Sequence, residues 1–140
     1  MAELNIYHLI EDLERDEGLK RFPYRDTVGK LTIGIGRNLD DNGISEDEAK
    51  TLLRNDIADI LATLRTNIVG WSELGEARQR ALANMGFNMG WPRLSCFIKM
   101  RAAIAEGDFD LAAEEALNSR WAKQVGARAQ RVAALLRLGE

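Results

Sequence analysis

Reactive side chains are scarce in this sequence: among 140 residues there is one cysteine, one histidine and only two prolines. A lone Cys96 allows no internal disulfide and no cysteine metal site. Its place in Leu94-Ser-Cys-Phe-Ile98 predicts a small buried hydrophobe. With His8 as the sole histidine, a two-histidine zinc site and an HExxH helix are excluded, and a Ser-His-Asp triad is disfavoured. Acid–base chemistry near neutral pH must then fall to carboxylates. No apolar run approaches the roughly 20 residues of a membrane helix. The opening stretch, MAELNIYHLIEDLERDE, is acidic and reads as neither signal nor transit peptide, which predicts a protein that folds in the cytoplasm. A basic excess is missing too. Nineteen Lys and Arg face 22 Asp and Glu, a net charge of −3, which argues against nucleic acid as a partner. The balance is uneven: residues 1–70 carry 9 basic and 14 acidic groups, residues 71–140 carry 10 and 8.

What is present is an ordinary globular composition, 46% apolar and 29% charged. The length suits a single domain over 1–140 able to bury about 68% of its unfolded surface. In residues 3–17, Ile6, Leu9, Ile10 and Leu13 fall on one stripe of a helix that Gly18 should end. Glu17 continues that stripe, where a carboxylate is unusual unless paired or employed. Residues 22–39 change to period two, with Leu31, Ile33 and Ile35 alternating with Thr32, Gly34 and Gly36. Asp26-Thr-Val-Gly29 reads as the turn of a hairpin. The glycine-bearing strand face is bare, so something should approach it closely.

From Ser45 onward the pattern is helical. Ser45-Glu-Asp-Glu48 is a capping box opening a helix over 45–67. Further helices are expected at 76–89, 93–106, 108–118 and 125–137. The fold class is α+β and mainly helical. A small antiparallel-sheet lobe (18–55) is joined by the long helix to an all-helical lobe (67–140), with the helix 3–17 in front. Trp71, Trp91 and Trp121 read as core rather than as stacking platforms. Gly34-Ile-Gly36 is not a dinucleotide loop, since Leu39 stands where GxGxxG needs glycine.

Glu17 and Asp26 form the informative pair. One sits at a helix end and the other at a hairpin turn, so they could face each other across a crevice. Two carboxylates in unlike environments can be held one as acid and one as base, which glycoside hydrolysis requires. Spacing alone does not separate that pair from chance among 22 acids.

Asp16-Glu-Gly-Leu19, Tyr24-Arg-Asp-Thr27, Gly29 and Thr32-Ile-Gly-Ile-Gly36 together resemble the phage T4-type lysozymes, the endolysins of glycoside hydrolase family 24. The likeness runs collinearly through Asn42–Ala49, Ala81–Gly90, Phe97, Ser119-Arg-Trp121 and Arg128–Val132. The resemblance implies a lysozyme-like fold and hydrolysis of the β-1,4 bond between N-acetylmuramic acid and N-acetylglucosamine in peptidoglycan. It implies that Glu17 is the general acid and that Asp26 handles the attacking water, helped by Thr32. Arg128 matches the arginine that pairs with the catalytic acid, and Phe87 an aromatic lining the cleft between lobes. Arg37 stands where the T4 type has histidine. The implied mechanism is inverting, with carboxyl groups about 6.5–9.5 Å apart instead of the roughly 5–5.5 Å of retaining enzymes. No metal or other cofactor is implied. The expected monomer acts on the glycan strand in the periplasm once a holin opens the membrane, without inserting into it. A lytic transglycosylase on the same scaffold and an inactive peptidoglycan-binding virion protein are the alternatives.

Overall fold

The computed structural model describes residues 2–139. Its architecture is α+β and predominantly helical, as expected, with one three-stranded antiparallel sheet in the order β1-β2-β3. Contacts gather into two compact units, Met1–Lys50 and Thr51–Glu140, and the boundary falls inside a continuous helix.

The first unit opens with α1 (Ile6–Glu17). The Asn5 side chain caps it by accepting from the Tyr7 and His8 amides. Strand β1 (Lys20–Arg25) pairs with β2 (Leu31–Gly34), and β2 pairs with β3 (Arg37–Asn38). The register places Tyr24 opposite Thr32 and Thr32 opposite Asn38. The strand expected to continue through Gly36 stops at Gly34. Gly34 and Gly36 have φ of 71° and 72°, so they serve the turn into β3 and do not form a bare strand face. A four-residue helix, α2 (Leu39–Asn42), follows directly and was not apparent from the residue pattern. The capping box forms as expected: the Ser45 amide donates to Glu48 Oε1 and the Glu48 amide to Ser45 Oγ, at 2.8 and 3.1 Å. They open α3 (Glu46–Asn67).

The second unit holds all the buried apolar residues described, from Leu64 to Leu136. The helix α4 (Glu76–Met89) runs through it, burying Ala77, Ala81, Leu82, Met85, Gly86 and Met89. The helix expected over 93–106 is two helices, α5 (Trp91–Leu94) and α6 (Ile98–Glu106), because Ser95-Cys-Phe97 makes a turn. That turn exposes Cys96 and corrects the expectation of burial. Asp108 caps α7 (Phe109–Leu117) through the Leu111 amide. The helix expected over 125–137 is α9 (Ala127–Leu138), and a short helix that was not expected, α8 (Arg120–Val125), precedes it. Ser119 caps α8, and Gly126, at φ 60°, breaks the run. Trp71 and Trp121 are core, and the Trp121 indole N–H donates to Asn88 Oδ1 at 2.8 Å. No described helix is long and apolar enough to cross a membrane.

Candidate active site

Three of the expected site residues fall in the first unit. Glu17 is the last residue of α1, where Gly18 ends the helix. Glu17 is exposed, whereas its place on the apolar stripe suggested burial. Its nearest constraint is Gly36: a β-carbon built there would stand 2.9 Å from Glu17 Oε2 and 3.0 Å from Cδ. The absence of a side chain at position 36 is what makes room for the carboxylate.

Asp26 sits just past β1, at the start of the turn into β2. Its Oδ1 accepts from the Val28 amide at 3.0 Å and the Lys30 amide at 2.8 Å, while its own amide donates to the Lys30 carbonyl at 2.9 Å. The turn therefore holds the carboxylate by one oxygen and fixes its direction. Thr32 is the only buried polar residue among those described. Its hydroxyl donates to the same Lys30 carbonyl at 2.9 Å. Burial without that bond would cost about 1–3 kcal/mol. Asp26 and Thr32 are thus tied through one peptide group, which sequence reasoning did not single out. With its hydrogen committed to Lys30, the Thr32 oxygen offers only lone pairs to anything else that meets it.

Charged neighbours brace this unit. The Lys30 ammonium pairs with Asp41 at 3.0 Å, which raises the lysine pKa and lowers that of Asp41. Arg37 forms a fork on Glu48, with Nη1 to Oε1 at 2.8 Å and Nη2 to Oε2 at 2.5 Å, and also donates to the Gly43 carbonyl. The Arg37 hydrogen bond, followed by the bonds from Ser45, pulls the Glu48 pKa down to about 2. Arg37 thus has its own local partner on the first turn of α3.

Phe87 and Arg128 belong to the second unit and line one groove of about 430 Å³. Its floor is apolar, from Leu53, Ile57 and Ile60 to Ala83. Arg128 is aimed by Asn84, whose Oδ1 accepts from Arg128 Nε at 2.8 Å. Asn84 was missed in the sequence, although its place three residues before Phe87 on α4 puts both on one helical face. Among the described residues, no group of three or more acids, histidines or cysteines could hold a metal ion.

A model of the phage lysozyme family matches residues 14–137. The chain is 33% identical to the pre-baseplate central spike protein of Enterobacteria phage T4, over 94% of this chain but 28% of that protein. It is 31% identical to a probable T4-type lysozyme 2 of Dictyostelium discoideum, covering 91% of this chain and 92% of the relative. An endolysin of Acyrthosiphon pisum secondary endosymbiont phage 1 is 29% identical over 79% of this chain and 75% of its own length.

Proposed function

Because the chain belongs to the phage lysozyme family, we propose that it is a lysozyme cleaving the β-1,4 bond between N-acetylmuramic acid and N-acetylglucosamine in peptidoglycan, with inversion. Glu17 donates its proton to the leaving glycosidic oxygen. A water attacks the anomeric carbon from the opposite face, and Asp26 takes one of its protons. The observation that carries this assignment is the Lys30 carbonyl shared by the Asp26 amide and the Thr32 hydroxyl. A water lying between the two residues gives one hydrogen to Asp26 and the other to the Thr32 oxygen. Both of its protons are then directed away from the sugar, and a lone pair faces the anomeric carbon. A nucleophilic Asp26 would leave the Thr32 oxygen without a task.

Arg128 carries over as the ion-pair partner of Glu17 and Phe87 as a substrate contact, both on family resemblance. The whole chain works as one monomeric lysozyme domain. It meets the wall from the periplasm after a holin opens the membrane, and it uses no cofactor. A second reading is favoured by the similarity to the T4 spike protein: the same domain carried in a virion, as an enzyme or as a peptidoglycan-binding part.

The test is turbidity clearing of outer-membrane-permeabilised Gram-negative cells by the purified protein. The wild type should clear them. Glu17→Gln keeps the shape and removes the transferable proton, so clearing should fall at least about 10²-fold. A variant retaining a tenth of wild-type activity would refute the role of Glu17. Stereochemistry checks Asp26. Proton NMR in the first minutes of digestion should show the α-anomer released from the β-linked chain, whereas initial β-anomer would make Asp26 a nucleophile.

A further inference from the structure

The helix α2 is four residues long and buries none of them, so packing does not account for it. Its two acids are not a solvated face either. Asp40 Oδ2 accepts from the Leu31 amide at 2.7 Å and from Arg25 Nη1 at 3.2 Å. That same Arg25 nitrogen donates to the Gly29 carbonyl at 3.2 Å. One carboxylate oxygen therefore meets both legs of the 26–30 turn, β2 at the Leu31 amide and β1 at the Arg25 side chain, which also holds the Gly29 carbonyl within the turn. Leu31 lies between the two residues that define the water site. The residue before it, Lys30, bonds Asp26 through both its amide and its carbonyl, that carbonyl sharing a peptide with the Leu31 amide, and the residue after it is Thr32. Asn38 aims the clamp, since its side chain accepts from the Asp41 amide at 2.9 Å and starts α2 immediately after β3.

Resting on the lysozyme reading above, we propose that Asp40 is a positioning residue for the reaction. It holds the Lys30–Leu31 peptide, and through it sets the distance between the Asp26 carboxylate and the Thr32 oxygen. It acts through that peptide and not by contact with the reacting atoms. Were Asp40 only a favourable charge in the first turn of α2, its removal would fray that helix and leave the turn unchanged. As a clamp, its loss must reach Lys30.

Asp40→Ala and Asp40→Asn decide between these roles, read by kcat and KM on a soluble peptidoglycan fragment and by amide hydrogen exchange in the intact chain. Misplacing a reacting group by about 1 Å can cost up to about 10²-fold. The alanine variant should lose about tenfold or more in kcat, with KM within about twofold of wild type, and should exchange the Lys30 and Leu31 amides faster. Asparagine keeps an oxygen for the Leu31 amide and should recover kcat to within about threefold. If the alanine chain does not fold, Asp40→Ser, whose oxygen is too short to reach Leu31, repeats the comparison. Wild-type kcat in the alanine variant overturns the proposal, as does a loss of kcat with Lys30 exchange unchanged. A wild-type protein that cleaves no peptidoglycan, with Lys30 exchange still accelerated by Asp40→Ala, would sink the lysozyme reading and leave the clamp standing.

Discussion

At position 36 the missing side chain is a functional group in its own right. Gly36 holds φ at 72°, where an L-residue costs about 1–2 kcal/mol, and its α-carbon faces the Glu17 carboxylate. Gly36→Ala should therefore lower stability by about that amount. Because the new methyl would meet Glu17 at 2.9 Å, it should also displace the acid and reduce clearing by up to about 10²-fold. Thermal melting and turbidity assays measure the two losses separately. Clearing at the wild-type rate would show that the acid tolerates the shift. Glu17 stood out in the sequence because a carboxylate continuing an apolar stripe is conspicuous, although the structure leaves it exposed. Its neighbour did not: eighteen residues lie between Glu17 and Gly36, and only the positive-φ turn after β2 brings them together. Thr32 was readable as a strand residue, whereas the direction of its hydroxyl hydrogen depends on where the Lys30 carbonyl points.

Among the elements, α3 begins on a carboxylate with two tasks. Glu48 closes the capping box and receives the Arg37 fork. Its pKa in the folded chain is lowered to about 2, from an ordinary value of 4.5, so its anion is favoured by folding. The stabilisation is complete above about pH 4.5 and disappears as pH falls toward 2. Glu48→Gln keeps the capping geometry and removes the charge. The variant should melt below wild type at pH 6, and the gap should close between pH 4.5 and pH 2; a gap independent of pH would mean that the fork contributes nothing. Added salt should narrow the gap as well, since both partners are exposed. Further along the chain, α3 and α4 meet at Gly86, where a β-carbon would lie 2.7 Å from Ile60 Cγ1. Gly86→Ala should cost about 1–3 kcal/mol by overpacking. Combining it with Ile60→Ala should recover part of that in a double-mutant cycle, and strict additivity would place the strain elsewhere. The capping box and the span of α4 were legible because their signals are local. The short helix α8 was less so, since its signal is a lone Ser119 cap and six residues ended by Gly126.

Over the whole molecule, the kinds of residue that matter differ from end to end. Residues 64–136 supply every buried apolar side chain described, and Thr32 is the only buried polar one. The first unit is held instead by hydrogen bonds and ion pairs of short sequence range, among them Lys30 with Asp26, Asp40 with Leu31 and Arg37 with Glu48. Periodicity announces an apolar core, which is why the helical part was largely legible. It is silent on polar networks, which is why the braces around Asp26 were not. For selection the consequence is a division of labour. A substitution among the alanines and leucines of α4 or α9 is removed because the chain misfolds, and so wherever misfolding is penalised. On the proposed function, a substitution at Glu17 leaves the apolar core untouched and is removed only while the reaction is needed. If a lineage ceased to use the proposed activity, constraint would relax first at the site residues of the first unit, while the apolar core of the second would still be held by folding.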